Sequence, residues 1–161
     1  MTKNSSGELI QRVESFLYQE AQLMDDNNYQ GWLDLFDQEC NYWIPSNRED
    51  LDPSKHISIL YCDRSMLEQH IKRLIEGKAF AQSPKSRSIR SVSNVLVAQQ
   101  GSMIDVTANF LVTELRGHQQ NIHAGRSEYS LRVANSDFLI QKKKVILLGI
   151  DEPQDNVTFL L

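Results

Sequence analysis

Metal binding is the first chemistry that the residue types raise. A structural zinc site takes four Cys or His ligands at short spacing, but Cys40 and Cys62 stand far apart, and neither has a second Cys or a His two or three residues away. A Rieske cluster takes two Cys and two His; the chain has two Cys and four His, without the paired spacing. Non-haem iron takes two His and a carboxylate, and a hairpin could draw His118, His123 and Glu128 together. The plainer reading makes both histidines solvent-facing turn residues.

Nucleophilic and acid–base chemistry leave similar fragments. No Gly-rich phosphate loop and no G-x-S-x-G elbow is present. Cys62, beside Asp63 and near His56, has the composition of a Cys–His nucleophile, against the reading of an idle thiol. Asp63 with His70, or Tyr18 with Asp34, would serve as acid–base pairs if they faced a cavity. The structural alternatives are a helix cap for Asp63, a helix edge for His70 and amphipathic-helix positions for Tyr18 and Asp34.

Two stretches suggest a partner instead of a reaction. Ser83 to Asn94 is polar and carries Lys85, Arg87 and Arg90, yet leads directly into a strand. Arginine's planar fork of donors suits carboxylates at interfaces; a solvated strand edge is the alternative. At the other end, Val157, Phe159, Leu160 and Leu161 predict a tail docked in this subunit's core or a neighbour's.

The 161 residues are 40% hydrophobic and 24% charged, which predicts one globular domain over 1–161. A net charge of −4 gives no sign of a nucleic-acid or anionic-membrane surface. Lys142-Lys143-Lys144, flanked by apolar residues, reads as a solvated strand or turn. No run approaches the ~20 apolar residues of a membrane span, and Met1 to Ser5 lacks a signal core. Two cysteines make no disulfide framework. A cytoplasmic protein with free thiols is expected.

The elements that must position these groups follow from periodicity. Ser5 and Glu8 have capping-box spacing, and Leu9, Val13, Phe16, Leu17 and Met24 recur at helical intervals. Asp25 to Asn28 breaks that helix; Tyr29, Trp32, Leu33 and Phe36 give a short second one. Cys40 to Ile44 reads as a strand ended by Pro45, and 46–61 as a long loop. Asp63 caps a helix striped with Met66, Leu67, Ile71, Leu74 and Ile75, with Gly77 at its C′ position. After Pro84 the period becomes two, most clearly over Ile104, Val106, Ala108, Phe110 and Val112. Ile122 and Ala124 are out of phase with Tyr129, Leu131 and Val133, so Gly125 is expected at a β-bulge. A last strand runs from Phe138 to Ile150. Helices first and hairpin-linked strands afterwards make an α+β pattern.

Several of these residues form a larger pattern. Phe16-Leu17-Tyr18-Gln19-Glu20-Ala21, Tyr29-x-x-Trp32-Leu33 and Tyr42-Trp43-Ile44-Pro45 open it. Asp63-Arg64, Leu67, Ile71-x-Arg73-Leu74, Gly77-x-Ala79, Pro84, Ser86-Arg87, Arg90 and Val92-Ser93-Asn94 continue it, and Gly125-Arg126 follows. Lys144-Val145-x-Leu147-Leu148-x-x-Asp151-x-Pro153-x-x-Asn156-x-Thr158-Phe159 closes it. In these the chain resembles the small (β) subunit of an aromatic-ring-hydroxylating dioxygenase, benzoate- and anthranilate-type enzymes above all. His70 departs from the pattern, which has a cation there, so no ion pair is carried over to it.

The resemblance implies a cone-shaped NTF2-like (cystatin-like) fold, with N-terminal helices packed on a curved antiparallel sheet. It implies no catalytic, metal or cofactor-binding residue in this chain. The Rieske [2Fe-2S] cluster and a mononuclear iron are expected in a large (α) subunit, with three copies of each chain in an α3β3 hexamer. That enzyme would add both atoms of O2 to an aromatic ring with NADH-derived electrons, in aromatic compound catabolism. Trp43, Arg64, Arg87, Arg90 and Phe159 are then expected at interfaces, whose cores favour Arg and aromatic side chains. The alternative is a stand-alone isomerase or dehydratase with acid–base residues in the cone, and a third reading is a transport-factor-type adaptor. A filled interior argues for the subunit, an open cavity for the enzyme.

Overall fold

The computed structural model describes residues 2–47, 52–77 and 86–150, with side chains from residue 5 onward. Helices α1 (Thr2–Asp25) and α2 (Tyr29–Leu33) lead into strand β1 (Phe36–Pro45), then β2 (Ser58–Asp63) and α3 (Arg64–Ile75). Four long strands follow: β3 (Arg87–Gln100), β4 (Met103–Arg116), β5 (Gln119–Ala134) and β6 (Asp137–Leu147). All six join one curved sheet in the order β2-β1-β6-β5-β4-β3.

Val13, Phe16, Leu17, Glu20 and Met24 fall on one face of α1, and all are buried. The expected break comes at Asn27, whose φ is 55°; Asn28 then caps α2 by accepting from the Gly31 N–H at 3.0 Å. Asp63 caps α3 by accepting from the Met66 N–H at 2.9 Å. Ser5 is not a cap, because α1 starts at Thr2, ahead of it, with no Gly or Pro between to stop the helix. β3 to β6 form a meander whose tight turns hold Gly101, Gly117 and Asn135 at φ 64°, 62° and 55°.

Helices α1 to α3 cover one face of the sheet. Their apolar stripes meet Tyr42, Ile104, Val106, Val112, Leu131 and Ile140 in a continuous core. Trp32, Phe36 and Tyr42 pack edge to face within it, with ring centroids 4.7–6.3 Å apart.

Four expectations need correction. The stretch 46–61 is not all loop: β2 begins at Ser58 and pairs with β1. Its signal is blurred because Ile59 and Tyr61 are apolar on the outward side while Leu60 and Cys62 point inward. The sheet is not wholly antiparallel, since the first and last strands, β1 and β6, run side by side in parallel. Phe36 opens β1 instead of closing α2.

The fourth correction concerns Gly125, which is no bulge. The register runs through it unbroken on both sides, with Phe110 on β4 and Leu147 on β6. The apparent slip arises because Ile122 and Ala124 face outward, opposite Tyr129 and Leu131. Gly125 is instead a close approach: a Cβ there would collide with the Ile146 carbonyl oxygen and the Phe110 ring. Within the meander the register irregularities lie elsewhere, in β3 between Ser93 and Leu96 and between Ser130 and Leu131 of the β5–β6 pairing.

Candidate functional site

The interior of the cone is where a ligand site would lie, and ionisable groups do converge there. Glu20 of α1 occupies a core position and is 3% exposed. Its Oε1 accepts from Lys143 Nζ at 2.5 Å and from Trp32 Nε1 at 3.2 Å, and its Oε2 accepts from the Tyr129 hydroxyl at 2.8 Å. The Lys143 ammonium also lies 5.4–5.9 Å from the ring centres of Tyr129, Trp32 and Tyr42. Burial pushes the Lys143 pKa down, against the pull of Glu20. Burial, then the Glu20 charge, pushes Tyr129 well up, so its hydroxyl stays a donor. The lysine triplet is therefore no solvated run: Lys143 and Lys144 are 5% and 8% exposed.

Beside this cluster Arg90 Nη1 donates to Asp25 Oδ1 at 2.7 Å, and the Arg90 backbone N–H donates to Asp25 Oδ2 at 2.9 Å. The space bounded by Glu20, Arg90, Ser127, Tyr129 and Lys143 is about 30 Å³. That admits about one ordered water and no aromatic ring. The groups that an acid–base enzyme would aim at a substrate are aimed at one another. Further out, Glu114 accepts from Ser86 Oγ at 2.5 Å and faces His123 Nε2 at 3.4 Å. The carboxylate stands between serine and histidine, so the histidine has no route to activate the hydroxyl.

The other candidate groupings do not assemble. His123 faces the helices, Glu128 lies on the opposite side of β5, and His118 stands in an exposed turn. Tyr18 is half exposed, and Asp34 accepts from Gln30 Nε2 on the surface. Asp63 is occupied as a cap. His70 lies two turns along the same helix, its pKa lowered by burial and by Arg73. Cys62 is buried and its thiol pKa is raised, first by burial and then by Asp63, while His56 is exposed in the preceding loop. That thiol is unreactive.

The five residues expected at interfaces have distinct placements. Arg64 Nη1 donates to the carbonyls of Leu33 and Phe36 at 3.1 and 2.9 Å, and its Nε donates to Glu68 at 2.7 Å. It ties the start of α3 to the α2–β1 turn. Arg90 ties β3 to the end of α1 through Asp25. Trp43, on the outer side of β1, is 6% exposed; its Nε1 donates to Ser58 Oγ at 2.9 Å, and Lys144 Nζ lies 4.6 Å from its ring centre. Arg87 is exposed at the start of β3, and Phe159 lies outside the described residues.

The outer face of the sheet carries what periodicity did not mark. Ile89, Leu111, Ile122 and Leu148 are 72%, 52%, 66% and 68% exposed. A groove of about 560 Å³ beside them is lined by Asn109, Leu111, Ala124, Arg126, Glu128 and Leu148, among others. Each apolar residue was legible as a strand residue; that they share the solvent side needed the register. Glu20 had a sharper signal, a carboxylate at the i+4 position of an apolar stripe.

Comparison with known proteins agrees with a partner-binding role. Residues 19–149 match the family model described as ring hydroxylating beta subunit. The chain is 32% identical over 141 residues to the 2-halobenzoate 1,2-dioxygenase small subunit of Burkholderia cepacia, covering 84% of this chain and 86% of that one. It is 31% identical over 148 residues to the anthranilate 1,2-dioxygenase small subunit of Acinetobacter baylyi, covering 88% and 91%. Among solved structures, a chain of naphthalene 1,2-dioxygenase with indole in its active site superposes at a TM-score of 0.83, with 20% identity and 96% and 86% coverage. An NTF2-like protein of cystatin-like fold from Novosphingobium aromaticivorans superposes at 0.62, with 10% identity and 92% and 90% coverage; these two likenesses bear on the fold alone.

Proposed function

The chain belongs to the ring hydroxylating beta subunit family, and on that premise we propose that it is the non-catalytic small subunit of an aromatic-ring-hydroxylating dioxygenase. Its work is assembly: it props a large subunit that holds a Rieske [2Fe-2S] cluster and a mononuclear iron, three copies of each chain making an α3β3 hexamer in the cytoplasm. The metal centres supply the O2 activation, and this chain's residues hold surfaces in place. In that role Trp43, Arg64 and Arg90 act through the elements they tie down, while Arg87 and Phe159 are the direct contacts.

The observation that carries this reading is the filled space around the ionisable cluster among the described residues. Glu20 and Lys143 neutralise each other, and about 30 Å³ remains beside them. A stand-alone isomerase or dehydratase needs room for its substrate between such groups. The test is co-expression with a Rieske-containing large subunit, followed by mass and iron analysis. The expected result is a complex with equal numbers of the two chains, all of its iron on the large one. Stoichiometric iron with a Rieske spectrum on the isolated small chain, or no association with any such large subunit, defeats the reading.

A further inference from the structure

We propose that one water molecule, bound as a ligand between Lys143 and Ser127, closes a ring of hydrogen bonds inside the cone. The other members of the ring are in place. Lys143 Nζ donates to Glu20 Oε1 at 2.5 Å, and the Tyr129 hydroxyl donates to Glu20 Oε2 at 2.8 Å. The Ser127 hydroxyl bonds the Tyr129 oxygen, and it does so as the donor, because it draws the phenol pKa down against the burial that raises it. Donors therefore run in one direction, from Ser127 through Tyr129 to the carboxylate. Both ends of the run call for one more group. An ammonium carries three N–H donors, and Glu20 is the acceptor Lys143 has among the described residues. The ring centres of Tyr129, Trp32 and Tyr42 stand 5.4–5.9 Å from Nζ, beyond hydrogen-bond reach. Ser127 Oγ, having given its proton to Tyr129, keeps lone pairs to accept with. A molecule that accepts from Lys143 and donates to Ser127 satisfies both.

Size, polarity and charge make that molecule water. The space that Lys143 and Ser127 share with Glu20, Arg90 and Tyr129 is about 30 Å³, the share of one water. Cavities that stay empty are apolar, whereas a held water has two to four polar partners. Here Lys143 and Ser127 are 5% and 4% exposed, so bulk solvent does not serve them. Glu20 offsets Lys143, and Asp25 offsets Arg90. A halide would bury an unbalanced anion and an ammonium ion an unbalanced cation. A neutral oxygen with protons to give is what remains. With it, the ring runs from Lys143 through water, Ser127 and Tyr129 to Glu20 and back to Lys143, tying α1, β5 and β6 together. A buried polar network rigidifies a core only when each member is satisfied.

The test is oxygen-17 magnetic relaxation dispersion of the full-length chain, which counts waters held long enough to tumble with the protein. Ser127→Val removes the accepting hydroxyl and fills the space with methyl groups. It is expected to count one water fewer than wild type, with its circular dichroism intact. Ser130→Val, the same change on the outer side of β5, keeps the wild-type count. A crystal structure of the wild-type chain grown in bromide serves should Ser127→Val misfold. It is expected to show a density peak within hydrogen-bond distance of both Lys143 Nζ and Ser127 Oγ, without anomalous signal. Equal counts in wild type and folded Ser127→Val overturn the proposal. So does a dry space between the two side chains, and so does bromide's anomalous signal there, since the ligand is then a halide.

Discussion

A carboxylate and an ammonium in the core are expensive separately and tolerable together. Glu20 and Lys143 face each other with Tyr129 and Trp32 completing the carboxylate's bonds, so each charge is paired and hydrogen-bonded. Glu20→Leu leaves Lys143 buried without its counter-ion, and Lys143→Met does the reverse. Each is expected to lose roughly 3–5 kcal/mol, and the double variant much less than the sum; urea unfolding measures all three. Single variants within about 1 kcal/mol of wild type contradict the pairing. The thiols set an alkaline limit. Burial raises Cys40 from its ordinary value of 9.0 to about 11, and Cys62 and Tyr129 are raised likewise. A raised folded pKa means stability that is complete below the unfolded value and is lost as pH climbs through the folded one. Stability therefore declines from pH 9 to pH 11, with Cys40 contributing at most about 2.7 kcal/mol of the fall. In Cys40→Ala the decline is shallower, as urea midpoints at neutral and alkaline pH will read. At this scale the sequence was half legible. The carboxylate of Glu20 stood in its apolar stripe, one turn ahead of Met24, but nothing local said that its partner lay on the last strand. Tyr18 and Asp34, the nearer candidates by residue type, face water because helical phase turns them away from the core.

At the scale of elements, boundaries followed local chemistry wherever a side chain could finish its own turn. Asn28 and Asp63 cap helices they immediately precede, and Gly77 has the positive φ expected after α3. Pairing is non-local, and there the reading failed. β2 looked like loop because both of its faces carry apolar residues. The parallel β1–β6 contact joins the first and last strands along the chain, which no window of sequence contains. Gly125 is the instructive case. Its sequence signal was real, but the cause is contact and not register, since a side chain there would strike Ile146 and Phe110. Gly125→Ala must push β5 away from β6 or displace the Phe110 ring, an overpacking cost of roughly 1–3 kcal/mol. At about 2–4 °C per kcal/mol for a chain of this length, the thermal midpoint falls by several degrees. Ala124→Ser, one residue away on the outer side, leaves it unchanged, and an unchanged midpoint in Gly125→Ala sinks the contact argument.

For the whole molecule, the division between a filled inside and an unfinished outside decides how stability is measured. Helices cover one face of the sheet around the Glu20–Lys143 pair, with about 30 Å³ left beside it, while large aliphatic side chains, Ile89, Leu111, Ile122 and Leu148 among them, stay exposed on the other. A surface that another chain covers stabilises the native state by mass action, because the partner binds the folded form alone. The apparent stability of the chain is then a function of its partner's concentration. At a concentration one hundredfold above the dissociation constant of the contact, the gain is about 2.7 kcal/mol, or roughly 5–10 °C in the midpoint at 2–4 °C per kcal/mol. Thermal unfolding of the wild-type chain over a thousandfold concentration series of a Rieske-containing large subunit is expected to show that rise. A midpoint independent of that concentration would mean that no large subunit covers the chain, and would leave the fold to stand on its core alone.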